Sequence, residues 1–326
     1  MKARFVSSKQ QFAQFIKSKK EAYTIFKQNR KVLYWTLITT SILLLFVIAG
    51  TACFIASVGM GAYGAIPTEE ELLAVQNPNG AEVLATDDVL IGKYYLEDRL
   101  SIELEEISPE IINALIATED ARFFDHTGVD LRSWMRVFFK NIVLKNRSAG
   151  GGSTLSQQLA KNLYPRRDYD YIPLIINKLR EIFIARKLER IYDKKALLEL
   201  YLNTVSFSDN TYGIRVASRR FFNKTPKDIN TIEAATLIAM LKATTLYNPL
   251  TNPVVAKDRR DVVLDQMHNY GYLDKVGRDS LQKEKIDLNY QPETHNDGLA
   301  TYFRESLRLE LKEWLDTYNK ENKTNY

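Results

Sequence analysis

Cysteine and histidine are scarce in this chain of 326 residues, which contains one cysteine and three histidines. Because Cys53 is the only cysteine, an intrachain disulfide is excluded. No second histidine or cysteine stands at metal-ligand spacing from His126, so a histidine-based metal site is not expected. The glycines at 150–152 are not followed by Gly-Lys-Ser/Thr, which argues against a phosphate-binding P-loop.

Acidic residues are almost absent from the first 31 residues, where Glu21 stands alone among lysines and arginines. The next segment, 32–57, has no charged residue and is long enough to cross a bilayer of roughly 30 Å. The positive-inside rule predicts an uncleaved signal anchor with a cytoplasmic N-terminus and the remainder on the outer, periplasmic side of the cytoplasmic membrane. A cleaved signal peptide is the alternative, although its apolar core would be shorter, about 7–15 residues. Since the basic tail leads directly into this segment, we favour anionic lipid over nucleic acid as its partner.

Sustained alternation of apolar and polar residues is also missing beyond residue 108, so the fold is expected to be mainly α. Two short segments, 82–86 and 89–95, have strand composition and predict a small β-hairpin. Ser108 followed by Pro109 predicts the start of a helix. We therefore divide the chain into a basic tail (1–31), a transmembrane anchor (32–57), a linker with the hairpin (58–105), a main domain (106–275), and a polar linker with an amphipathic helix (276–326).

The segment 131–145 predicts a helix with one apolar face, and arginines and a lysine lie towards its other side. A core helix with a solvated basic face is the simplest interpretation. Because the chain carries a predicted membrane anchor, we favour a helix that lies in the membrane interface. Its expected membrane contacts are Trp134, Met135, Phe138 and Phe139.

Two motifs carry most of the chemistry. The first, 117–128, places Glu119 and Asp120 beside two phenylalanines and His126. A carboxylate among apolar side chains suits a general base, although an acidic pair at a helix end is more often only a favourable charge. The second, 150–162, joins three glycines to a helix in which Gln158 and Lys161 share a face with Thr154. Such hydroxyl, amide and ammonium groups suit a sugar and a pyrophosphate, while a plain amphipathic helix is the alternative.

Three further motifs follow in order. They are Asn-Lys-Leu-Arg-Glu at 177–181, Glu-Leu-Tyr-Leu-Asn at 199–203 with Tyr212-Gly213, and the apolar segment 234–243 with Asn248-Pro249 and Arg259-Arg260. Together the five motifs resemble those of the peptidoglycan glycosyltransferases, lysozyme-like enzymes that polymerise lipid II. The third motif of that family begins with arginine, and Asn177 stands in its place here. Arg180, or Arg166 and Arg167, would then have to supply the missing phosphate contact.

The resemblance implies a mainly α, lysozyme-like domain that performs an inverting glycosyl transfer. In it Glu119 is the general base, and Glu181 is a second carboxylate near the pyrophosphate, acting alone or through a divalent cation, Mg²⁺ or Mn²⁺. No organic cofactor is implied. Asp120 and His126 are expected to hold the first motif in shape. The expected substrate contacts are Asp120, Ser153, Thr154, Gln157, Gln158, Lys161, Asn162, Lys178, Arg180, Tyr201 and Asn203.

The implied partners are lipid II, the growing lipid-linked glycan, the membrane and other cell-wall synthesis proteins. A lytic enzyme on the same fold remains an alternative, and so does a scaffold that has lost activity. The tail from residue 296 resembles the linker before a penicillin-binding transpeptidase domain. It predicts either a truncated bifunctional enzyme or a stand-alone glycosyltransferase. Ser280-Leu281-Gln282-Lys283 matches a Ser-x-x-Lys nucleophile, but no Lys-Thr-Gly follows and chance explains it better.

Overall fold

The computed structural model describes residues 2–74, 81–84, 86, 90–94, 98–99, 101–138, 152–208, 211–291 and 301–322. These residues form twelve α-helices and five short strands, which confirms the prediction of a mainly α fold. The chain divides into two compact units, Met1–Ala65 and Ile66–Tyr326.

The first unit is dominated by one continuous helix, α1 (Lys2–Gly59), so the predicted tail and anchor are not separated by a break in secondary structure. An 18-residue stretch within its part Ile16–Gly59 reaches a mean hydropathy of 2.5, and this is the one described helix long and apolar enough to cross a membrane. Threonines in this part turn their hydroxyls back to the helix: Thr40 donates to the carbonyl of Thr36 at 2.8 Å and Thr51 to that of Val47 at 2.8 Å. These threonine hydroxyls are therefore satisfied within the helix itself.

The predicted hairpin is present in the second unit. Strands β1 (Ala81–Leu84) and β2 (Leu90–Tyr94) pair antiparallel, with Ala81 opposite Tyr94. Asp87 and Asp88, expected at its turn, lie outside the described residues. A second sheet was not predicted: β3 (Asp98–Arg99) pairs parallel with β5 (Thr211–Tyr212), and β5 pairs antiparallel with β4 (Ser206–Ser208).

The other helices follow in chain order. They are α2 (Glu69–Leu73), α3 (Pro109–Glu119), α4 (Leu131–Phe138), α5 (Leu155–Leu163), α6 (Pro173–Ile191), α7 (Lys194–Thr204), α8 (Ile214–Phe222), α9 (Thr231–Met240), α10 (Pro253–Asn269), α11 (Lys275–Leu281) and α12 (Thr301–Asn322). The predicted start of α3 is confirmed, because the Ser108 hydroxyl accepts a hydrogen bond from the amide of Glu110 at 3.3 Å and Pro109 occupies the first turn. The predicted helix 131–145 is described only as far as Phe138, and Phe139 lies outside the described residues.

The core is built around α9, which is buried from Glu233 to Met240. Helices α3 and α10 pack against α9, and α5 packs against α6 and α7. Large buried side chains such as Leu115, Leu188 and Phe221 join these helices in one cluster, and each contributes about 1.5–3 kcal/mol by leaving water. This packing brings the end of α3 to the start of α5, where the first two motifs meet.

The segment after α10 also belongs to this core. Leu281, Ile286 and Leu288 pack against it, and the amide of Gln291 donates to the carbonyl of Arg220 at 2.7 Å. Arg260 is fully buried and donates to the carbonyl of Glu284 at 2.9 Å. The main domain therefore continues to residue 291 in the structure, past the boundary expected at 275.

Candidate active site

A cavity of about 760 Å³ is lined by the end of α3, residues of α4 and α10, and the residues that precede α5. Glu119, the predicted base, lies on its wall. So do five cationic side chains, Arg122, Arg132, Arg136, Lys242 and Arg259. A cleft with so many positively charged side chains attracts an anionic substrate.

Glu119 is held by a chain of two hydrogen bonds. The amide nitrogen of Gln158 donates to Oε2 of Glu119 at 2.9 Å. The hydroxyl of Tyr201 donates to the amide oxygen of Gln158 at 2.9 Å. Tyr201 is fully buried, and its burial, assisted by the charge of Glu119, raises its pKa well above 10. The hydroxyl therefore stays protonated and fixes which end of the Gln158 amide faces the carboxylate.

Asp120 and His126 form hydrogen bonds within the first motif. The backbone amide of Gly128 donates to Nδ1 of His126 at 3.2 Å, so this nitrogen is the acceptor and Nε2 carries the hydrogen. Nε2 lies 3.0 Å from Oδ2 of Asp120, and the same oxygen accepts from the amide of Leu155 at 3.0 Å. Asp120 thus joins the first motif to the first turn of α5.

Gly128 forms a second set of hydrogen bonds between the two motifs. Its carbonyl accepts from the Thr154 hydroxyl at 2.8 Å and from the Gln157 amide nitrogen at 3.1 Å. Gly128 has φ +86°, and an added Cβ would lie 3.2 Å from the backbone of Ala185. The positive φ favours glycine, and the nearby backbone of Ala185 leaves little space for a Cβ. Thr154 and Gln157 are buried, so their described contacts are internal, and their predicted contacts with substrate stay predictions.

Asp130 fixes the start of α4 on the cavity wall. Its carboxylate accepts hydrogen bonds from Nε and Nη2 of Arg122, the shortest at 2.6 Å, and caps the amides of Arg132 and Ser133 at 3.0 and 3.1 Å. Burial opposes ionisation of Asp130, but the bonds from Arg122 and Ser133 outweigh it and lower the pKa of the carboxyl to about 2. The arginine-bearing face of α4 is thereby positioned over the cleft.

A second charged cluster joins the glycine-rich motif to α6. The ammonium of Lys178 lies 2.7 Å from the Ser153 hydroxyl and 3.1 Å from Oε2 of Glu181. Arg166 donates to Oε1 of Glu181 at 2.8 Å. Burial lowers the pKa of Lys178, the charges of Arg166 and Lys161 lower it further, and Glu181 opposes the shift. Arg166 was one of the arginines expected to replace the missing motif arginine. In the structure it lies at this cluster.

Asn177, which stands where the family motif has arginine, is buried and binds backbone. Its amide nitrogen donates to the carbonyls of Arg167 and Pro173 at 2.8 and 2.9 Å, and its oxygen accepts from the amide of Arg167 at 3.1 Å. Arg180 donates to the Tyr169 hydroxyl at 3.1 Å. Both side chains hold the 166–173 loop against α6.

The remaining predicted site residues differ in exposure. Lys161 is exposed and Asn162 is half-buried on α5. Asn203 is buried and bonds both backbone groups of Ile102, at 3.0 and 2.9 Å. The predicted membrane contacts Trp134 and Met135 are exposed by 39% and 61%, and Phe138 ends α4. Contact of these residues with substrate or membrane stays a prediction.

A directly bound divalent cation does not fit Glu181, because each of its oxygens already accepts from a cationic side chain. Among the residues that the structure describes, no group of three or more His, Cys, Asp or Glu side chains could hold a metal ion. The described residues therefore offer no cluster of such donors beside this carboxylate.

None of the five cationic side chains on the cavity wall was among the substrate contacts expected from the motifs, although Arg259 belongs to the fifth motif. The basic face of the helix 131–145 was the available signal for Arg132 and Arg136, but it was interpreted as the edge of a membrane contact. Arg259 lies 5.9 Å from the centroid of the Tyr247 ring, and its buried Nε has no hydrogen-bond partner in the described part of the chain.

Comparison with known proteins places these features in a family. The family model described as Transglycosylase matches residues 87–268. Penicillin-binding protein 1F of Bacillus subtilis is 33% identical over 300 residues, which are 90% of this chain and 39% of that protein. Penicillin-binding protein 1A of Escherichia coli is 34% identical over 233 residues, or 71% of this chain and 26% of that protein.

A crystal structure of penicillin-binding protein 1A from Haemophilus influenzae matches with a TM-score of 0.41 and 21% sequence identity. The match covers 72% of this chain and 24% of that one. The chain thus spans 39% or less of the length of these three relatives.

Proposed function

The chain belongs to the transglycosylase family, and we propose that it polymerises lipid II into glycan strands by inverting glycosyl transfer. The observation that carries this proposal is the position of Glu119, a carboxylate on the wall of a cation-lined cleft with one oxygen held by Gln158. The family resemblance of the five motifs agrees with it.

In the proposed reaction Glu119 takes the proton of the 4-hydroxyl of the GlcNAc unit on lipid II. The hydroxyl oxygen attacks C1 of the lipid-linked MurNAc of the growing chain, and the bond from C1 to the pyrophosphate oxygen breaks. The undecaprenyl pyrophosphate leaves with the electron pair. Because Gln158 bonds Oε2 of Glu119, the base is oriented before the hydroxyl arrives, and such positioning is a large part of general base catalysis.

The leaving pyrophosphate needs positive charge rather than a strong acid. Lys178, Lys161 and Arg166 supply that charge in the proposal, and Glu181 holds Lys178 and Arg166 in place. Fixed cations of this kind stabilise the charge that develops on the leaving group. A divalent cation, Mg²⁺ or Mn²⁺, is retained in the proposal only as a companion of the substrate's pyrophosphate.

The membrane topology is also a proposal. The apolar helix Ile16–Gly59 and the membrane-bound substrate support an anchor in the cytoplasmic membrane, and the charge distribution supports an N-terminus in the cytoplasm. The Ile66–Tyr326 unit would then face the outer side, where other cell-wall synthesis proteins are candidate partners.

The test is polymerisation of lipid II in detergent by the full chain and by Glu119→Gln. We expect the substitution to reduce the rate by about 10²–10⁴-fold, because it removes the proton acceptor. Glu105→Gln is the matched control, since Glu105 is exposed and does not line the cavity. A Glu119→Gln variant that polymerises at the wild-type rate would exclude the assignment, and consumption of preformed peptidoglycan instead of lipid II would favour a lytic enzyme.

A further inference from the structure

The start of α6 carries an unusual exposed apolar surface. Within five consecutive residues, Tyr171, Ile172, Leu174 and Ile175 are exposed by 81%, 50%, 72% and 53%. Single exposed apolar side chains are common, whereas a contiguous group of them is a candidate binding surface. We call these four residues the α6 entry surface.

The α6 entry surface is held in place by specific contacts. Ile172 has φ +42°, in the left-handed region that a β-branched residue rarely adopts. The buried Asn177 bonds the carbonyls on either side of this loop, at Arg167 and Pro173. Unusual backbone of this kind persists where the surrounding structure fixes it, and it is often found at binding sites. The surface is therefore a fixed feature of the loop.

The surface continues directly into the charged cluster. Leu174 and Lys178 are four residues apart on α6, and Ile175 and Lys178 are three apart, so these side chains share one face of the helix. One further turn brings Glu181, which holds Lys178 and Arg166. One end of this face is apolar and the other is cationic, within about two turns of a helix that rises roughly 5.4 Å per turn.

We propose that the α6 entry surface binds the first apolar units of a polyprenyl chain whose pyrophosphate lies against Lys178 and Arg166. One molecule with an anionic head and an apolar tail matches both ends of the helix face. A flat anionic bilayer matches less well, because Asp168 and Asp170 are exposed in the same loop. The inference rests on the proposed function and names how its lipid substrate is held.

The experiment compares two probes on the full chain in one non-ionic detergent: inorganic pyrophosphate and farnesyl pyrophosphate. The wild type should bind farnesyl pyrophosphate at least about tenfold more tightly, since the prenyl chain covers apolar side chains. In Leu174→Ser the ratio of the affinity for farnesyl pyrophosphate to that for pyrophosphate should fall to nearly one, while the affinity for pyrophosphate itself is unchanged. Val276→Ser is the matched control, because Val276 is also the second residue of a helix and is 76% exposed. It should keep the preference.

Ile175→Ser gives an independent measurement if Leu174→Ser unfolds, as judged by helical circular dichroism. An unchanged preference in a folded variant, or a wild type that binds neither probe, would overturn the inference. It would also be overturned if the variants lost binding to phosphatidylcholine vesicles but kept the farnesyl preference, since the surface would then contact the bilayer. Lipid II polymerisation by the wild type separates the two proposals: if polymerisation occurs without any farnesyl preference, only this inference fails.

Discussion

The orientation of the Gln158 amide determines whether its nitrogen or its oxygen faces the carboxylate of Glu119. The Tyr201 hydroxyl occupies the oxygen of Gln158, so the amide nitrogen must face the carboxylate. Without that hydroxyl, the amide oxygen of Gln158 loses its donor and the amide is positioned only by its bond to Glu119. We predict that Tyr201→Phe lowers kcat about tenfold with a smaller change in KM, and lowers the free energy of unfolding by about 0.5–1.5 kcal/mol because a half-buried acceptor loses its donor.

Tyr192→Phe provides the control for this prediction. The Tyr192 hydroxyl donates to the carbonyl of Leu72 at 2.9 Å, and Tyr192 does not line the cavity. Its loss should affect thermal stability and leave kcat unchanged. Lipid II kinetics and urea unfolding of both variants measure the two effects, and an unchanged kcat in Tyr201→Phe would contradict the role given to the hydroxyl.

The roles of single residues could be predicted from the sequence only where the motif itself carried them. Glu119, Gln158, Lys178 and Glu181 were named from their motifs, and the structure brings Glu119 to Gln158 and Lys178 to Glu181. The partners of these residues were harder to predict. The contact of Tyr201 with Gln158 joins residues 43 apart, and sequence spacing beyond one helix does not determine such a distance.

Among the secondary-structure elements, α4 owes its position to one carboxylate. Asp130 caps the first amides of α4 and pairs with Arg122, which lowers its pKa to about 2 from an ordinary value of 3.8. Because the folded-state pKa is depressed, the ionised carboxylate stabilises the fold fully above about pH 4. This contribution is lost as the pH falls towards 2.

We predict that Asp130→Asn lowers the free energy of unfolding at pH 7 by about 1–2 kcal/mol, since asparagine keeps the cap but loses the charge. The difference from wild type should shrink between pH 4 and pH 2, as the wild-type carboxyl also becomes neutral. Urea unfolding across this range measures it. Arg122→Gln should show the same pH dependence, and a difference that stays constant down to pH 2 would refute the argument.

Helices and strands with a local sequence signal, such as a capping residue or strand composition, could be predicted from the sequence. Those without such a signal could not. The cap of α3 at Ser108 and the hairpin β1–β2 have local composition cues. The sheet formed by β3, β4 and β5 has strands of two or three residues, too short to show alternation, and it joins Asp98 to Thr211 across the domain. Its formation depends on tertiary packing, which no window of the sequence contains.

At the scale of the whole molecule, charge is distributed unevenly along a chain whose formal net charge is only +5. Basic residues cluster in the first 31 residues and on the cavity wall. The first cluster precedes the apolar part of α1, and moving it across a membrane would be strongly unfavourable. The second suits the anionic substrate that the Ile66–Tyr326 unit is proposed to bind.

We therefore predict that the N-terminus stays in the cytoplasm and that α11 lies on the outer side. In a Cys53→Ser background, Ser18→Cys and Val276→Cys each provide one thiol at an exposed position. A membrane-impermeant maleimide applied to intact protoplasts should label Val276→Cys, and Ser18→Cys only after detergent. The reverse pattern would place the Ile66–Tyr326 unit in the cytoplasm, on the side opposite the predicted glycan product. Because basic residues dominate orientation when they flank a first apolar helix, replacing Lys17, Lys19, Lys20, Lys27 and Lys31 by glutamine should weaken the labelling difference.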